Sequence, residues 1–164
     1  MPVASAPDGW RVRLLSTLKA HAYGAVALPV GVVGLVVAAL GGAGTVARWQ
    51  RTLAHRLLDV PPRPGAGEGR GRGRALRVLG RNLVGLPVNL VAFVLVVPMW
   101  SVFLARGVFY PLVGADHLES SWGGPTLAGA WFVHFALGPP LLVLASVLLR
   151  PVSRIQARLA ADAG

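Results

Sequence analysis

Three stretches of the chain carry no Asp, Glu, Lys or Arg: residues 22–47, 82–105 and 120–149. Each is longer than the roughly 20 residues a helix needs to cross the hydrocarbon core of a bilayer. The pattern predicts crossings over about 22–47, 82–106 and 123–149. Between and around them the periodicity turns amphipathic. Trp10, Leu14, Leu15 and Leu18 can share one helical face. So can Trp49, Leu53 and Leu57, beside polar Gln50, Arg51 and Arg56. The fold class expected is an all-α integral membrane protein, with about three transmembrane helices plus amphipathic cytoplasmic helices. Residues 1–9 are expected to be disordered. Residues 10–162 form one membrane domain, with an Arg/Gly/Pro-rich connector over 59–74.

Helix breakers lie inside the apolar runs. Gly24, Pro29, Gly31 and Gly34 interrupt the first, Pro87 and Pro98 the second, and Pro139-Pro140 the third. In a bilayer, neighbouring helices re-satisfy the freed backbone groups and small residues allow close packing, so these positions read as kinks and contacts. Asn82 and Asn89 are seven apart and can project to one side. Asn89, set in hydrocarbon, is expected to find a partner helix.

Composition strengthens the membrane reading. Hydrophobic residues make up 54% of the chain and charged residues 13%, against about 25% charged in soluble domains, and mean hydropathy is +0.62. The net charge is +10, and most of it sits in one place. Residues 48–81 hold nine arginines against Asp59 and Glu68, whereas residues 106–121 hold only Arg106. Positive charge marks cytoplasmic loops. The expected location is therefore the cell membrane, multi-pass, with the connector 48–81 and the C-terminus cytoplasmic. The N-terminus conflicts with three crossings, because Arg11, Arg13 and Lys19 also favour the inside. It can translocate, residues 14–47 can form a re-entrant hairpin broken near Pro29 to Gly34, or a crossing can be missing upstream. A single first crossing is the favoured reading. A signal peptide over the first apolar run is the rival, but its cleavage would leave the arginines outside. The RGRGR of the connector lacks the aromatics of nucleic-acid-binding segments, so membrane lipids, and no nucleic acid, are the expected anionic partners.

A shift of 102 positions superimposes two exit segments. Arg48 meets Arg150, Leu53 meets Ile155, Arg56 meets Arg158 and Leu57 meets Leu159. This suggests two copies of a unit, a membrane hairpin followed by a cytoplasmic helix, with the first copy shortened.

The runs NLVGLPVNLVAFVLVVPMWSV (82–102), FYPLVG (109–114) and SWGGPTLAGAWFVHFALGPPLLVLA (121–145), with the arginine-marked exits, together resemble the sensor domain of actinobacterial two-component histidine kinases. The resemblance covers about residues 20–162. It implies a four-helix, two-hairpin domain, here degenerate in its first hairpin, and a membrane sensor acting ahead of a kinase. No kinase segment follows in this sequence, so the resemblance implies a histidine kinase or another membrane protein as partner, or a homodimer. It carries no ligand across.

Candidate chemistry is sparse. Asp116, His117 and Glu119 cluster in the outer segment, either as a solvated loop or as a weak proton- or metal-sensing site. No metal site is expected from one His and two carboxylates. His134 lies inside the third apolar run, where an ionisable residue is a functional candidate; it can instead bond across helices to Asn89 or Thr126. Trp131 shares its side. The glycine clusters match neither a P-loop nor a dinucleotide fingerprint, and no nucleophile–base pair is brought together. No enzyme and no cofactor are expected. The function expected is a non-catalytic membrane sensory or signalling module. The alternative is a small transport or channel subunit, or a structural membrane protein. Asn89, Asp116, His117, Glu119, Trp131 and His134 are the candidate sensing or packing residues.

Overall fold

The computed structural model describes residues 9–61, 72–113, 118 and 121–161. Residues 1–8 and the connector's 62–71 lie outside them. All regular structure among the described residues is helical: α1 (Gly9–Val37), α2 (Ala43–Leu58), α3 (Arg72–Val102), α4 (Tyr110–Val113) and α5 (Leu127–Ala161). Three segments are long and apolar enough to cross a membrane, Gly9–Leu58, Ala75–Val108 and Leu127–Ala161. The chain divides into two compact units, Met1–Phe93 with Pro151–Gly164, and Val94–Arg150.

In the first unit, α1 runs unbroken through Pro29. The chain then reverses over a kink, Ala38–Gly42, where Gly41 takes φ 94°. That left-handed conformation costs an L side chain about 1–2 kcal/mol, which is why a glycine stands there. α2 returns against α1. One face of α1 makes this possible: His21, Gly24, Ala27, Gly31 and Gly34 are its buried residues, three or four positions apart. A Cβ built on Gly34 would lie 2.9 Å from Val46 Cγ1 of α2. Beyond the turn, Ala38, Ala43 and Val46 are buried with Val78 of α3, flanked by Ala75 and Leu79. At the far end of the hairpin, Lys19 Nζ meets Asp59 Oδ1 at 2.7 Å.

The sequence pattern reads 22–47 as one span continuing outward as the 48–59 helix. The structure divides this stretch at 38–42 and folds it back. The consecutive glycines 41 and 42 supply the break that Pro29 does not.

Asp59 caps α2 with φ 53°, its N–H donating to Ala54 O. Asp59→Gly relieves the left-handed strain while removing an exposed ion pair. Its melting temperature in detergent is expected to stay within about 2 °C of the parent, whereas Asp59→Val should fall clearly below it.

The second unit holds the end of α3, a π-helical stretch Phe103–Val108, α4 and most of α5. Several aromatic rings contact one another in it. Trp100 stands edge-on to Phe103 with centroids 6.1 Å apart, and Phe103 and Phe135 are also 6.1 Å apart. The outer faces are apolar in both units: Leu83, Val84, Leu90 and Val94 on α3, and Phe132, Val143 and Leu144 on α5, are exposed.

Candidate functional site: a seam of four amides

The chain contains only two asparagines, Asn82 and Asn89, and only two glutamines, Gln50 and Gln156. All four meet in the first unit. The heptad spacing on α3 puts both asparagines on one side, as the sequence leads one to expect. Each then accepts a hydrogen bond from a glutamine on one of the two arginine-marked exit helices. Gln50 Nε2 of α2 donates to Asn82 Oδ1. Gln156 Nε2 of α5 donates to Asn89 Oδ1 at 2.9 Å. Asn89 Nδ2 also makes a long contact of 3.5 Å with Ala27 O of α1.

The glycines of α1 leave the space for these amides. Cβ atoms built on Gly31 and Gly34 would lie 3.7 Å from Asn89 Nδ2 and 3.5 Å from Asn82 Nδ2. Two of the amides are buried, Asn82 at 4% exposed and Gln156 at 2%, and Gln50 and Asn89 are half-buried. The seam is also incompletely satisfied. Asn82 Nδ2 and Gln156 Oε1 are buried without a hydrogen-bond partner. One unused donor and one unused acceptor in the same place are costly, about 1–3 kcal/mol each, unless something bonds to them.

Beside them lies a cavity of about 60 Å³. The four amides line it together with Tyr23, Arg51 and Arg81. Its walls thus come from α1, α2, α3 and the end of α5. Its lining offers hydrogen-bonding amides beside apolar side chains.

The sequence candidates fall in different places. Asn89 is central to the seam. Trp131 and His134 belong to the second unit. There Trp131 Nε1 donates to Gly107 O at 2.6 Å. His134 Nδ1 donates to Ala130 O of its own helix at 2.7 Å, and its ring stacks on Tyr110 with centroids 4.8 Å apart. Tyr110 in turn shares a hydrogen bond with the Ser121 hydroxyl. His134 thus bonds one turn back and stacks on an aromatic ring, where the sequence also allowed a bond to Asn89 or Thr126. Asp116, His117 and Glu119 lie outside the described residues. Gln50 and Gln156 are site residues that periodicity alone misses. Their signal is rarity: a chain with so few carboxamides uses every one in the same place.

No model of a known protein family matches the chain, and no curated protein or solved structure is detectably similar to it.

Proposed function

We propose that the chain is a non-catalytic sensory module of the cell membrane that works with a partner histidine kinase, passing its state to that partner through the exit helix at the end of α5. The observation that carries this reading is the Asn89–Gln156 hydrogen bond. It ties the segment after Arg150 into a polar seam beside a cavity, so a change in the seam bears directly on the C-terminal end of α5. Buried interhelical amide bonds of this kind hold helices in register in membranes. The resemblance to kinase sensor domains over residues 82–145 points the same way.

Charge supports the orientation. All but two of the chain's sixteen Lys and Arg belong to the first unit, Arg106 and Arg150 being the exceptions. By the positive-inside rule the arginine-bearing ends of this unit then lie on the cytoplasmic side. The exposed apolar faces of α3 and α5 suit lipid contact.

Two measurements test the reading. Reporter fusions inserted at residue 68 and after Gly164 should both report the cytoplasm; an external signal from either contradicts the orientation. Affinity capture of the full chain from its own membranes should retain a histidine kinase, and Gln156→Leu should weaken that capture. Absence of any kinase from the wild-type capture contradicts the signalling role.

A further inference from the structure

We propose that the amide-lined cavity of the first unit binds the hydroxyl group of a neutral alcohol, carried by the head of a neutral lipid or by a free polyol. This inference rests on the membrane reading above and is independent of the kinase. The unused hydrogen-bonding groups define the ligand. Asn82 Nδ2 is a buried donor without an acceptor, and Gln156 Oε1 a buried acceptor without a donor. Both residues line the cavity, and both are more than nine-tenths buried. A hydroxyl group accepts and donates, so an alcohol answers both amides with one kind of group. An ionised phosphate diester or carboxylate accepts from Asn82 but has nothing to donate to Gln156. An ammonium group donates but does not accept. Arg51 and Arg81 also line the wall, but each is engaged in an interaction of its own. The groups that call for a guest are therefore the two uncharged amides.

Size agrees. The cavity of about 60 Å³ has room for about four water positions at roughly 15 Å³ each, enough for an alcohol with a few carbons. Water alone would leave Ala27, Val30, Leu53 and Leu159 of the wall against solvent, whereas an alcohol lays its carbons there. A glycerol head has this mixed character, with hydroxyl groups on a short carbon frame. Because Asn82 belongs to α3 and Gln156 to α5, a hydroxyl bonded to both adds a second tie beside the Asn89–Gln156 bond. Occupancy then fastens the end of α5 to α3.

The test uses the purified full chain in an uncharged detergent. Dioctanoylglycerol, its methyl ether, dioctanoyl phosphatidic acid or glycerol is added. Thermal unfolding is followed together with ligand retention in native mass spectrometry. Dioctanoylglycerol is expected to raise the melting temperature by about 3 °C and to be retained at one copy per chain. The methyl ether keeps the acceptor but loses the donor, so it should bind about tenfold more weakly, as should the phosphatidic acid. Gln156→Leu removes the group that reads the donor and should bind alcohol and ether alike. Val30→Phe fills the cavity from α1 and should abolish the shift. If neither variant folds, the alcohol and ether compared on the parent chain decide alone. A full shift with glycerol that Val30→Phe loses supports the site and assigns it a soluble polyol. Equal binding of alcohol and ether by the parent, tighter binding of the phosphatidic acid, or no binding of either alcohol overturns the proposal. Kinase capture that fails while dioctanoylglycerol still binds removes only the signalling role; the converse removes only the alcohol site.

Discussion

Replacing Asn89 with leucine is expected to lower the stability of the full chain by about 2 kcal/mol, a fall of roughly 4–8 °C in melting temperature for a protein of this size. The reason is not the loss of one hydrogen bond as such. Gln156 is 2% exposed and its Oε1 already lacks a partner, so losing Asn89 also strands Nε2, its bonded donor. A whole carboxamide is then buried without compensation. Gln156→Leu in the same background removes that stranded group. The double variant should therefore be less destabilised than the sum of the two single variants, by about 1 kcal/mol, which is in the range measured for interhelical polar pairs in membranes. Strict additivity in the double-mutant cycle would mean that the two amides do not interact.

The second large effect is expected at Gly34. Its missing side chain is what lets α2 fold back on α1, with Val46 Cγ1 only 2.9 Å from where a Cβ would sit and Asn82 Nδ2 3.5 Å away. Val46 is fully buried, with no open side to turn to. Gly34→Leu must push α2 or Asn82 aside and should cost about 3 kcal/mol, at the upper end of core overpacking. Adding Val46→Ala returns part of the space and should recover part of the loss, even though Val46→Ala alone is destabilising. Melts of the four chains in one detergent decide it. A Gly34→Leu chain as stable as the parent would rule out the close hairpin. Gly9→Leu serves as the control, because nothing lies within 4 Å of its Cβ position.

These residues also show how far the sequence could be read. Helical class and three apolar segments follow from charge-free runs, since nothing but helix length and hydropathy is needed. The common side of Asn82 and Asn89 follows from heptad spacing. The reversal at Ala38–Gly42 does not follow so directly. The first apolar run holds several glycines and a proline, and only tertiary packing decides which of them bends the chain. Pro29 stays inside α1, while Gly41 takes the positive φ. Gln50 and Gln156 belong to segments whose dominant signal is arginine and an apolar stripe, so their amides look like solvent-facing polar positions. Their burial depends on α3 approaching from elsewhere in the chain, which periodicity within each segment does not encode. The offset of 102 did mark α2 and the end of α5 as related, and both exit helices do deliver a glutamine to an asparagine of α3, although the two glutamines are not at matched positions of the repeat.

That the end of α5 is held to the first unit through Asn89 can be read most directly as a distance. The chain has no cysteine, so spin labels at Thr52→Cys and Arg154→Cys, both exposed in the folded chain, report only those two sites. Pulsed dipolar spectroscopy in lipid bilayers should give one narrow distance between α2 and the exit helix in the parent, and a shifted or broadened distribution in Asn89→Leu. The same distribution in both chains would contradict the seam as the element that positions the exit helix.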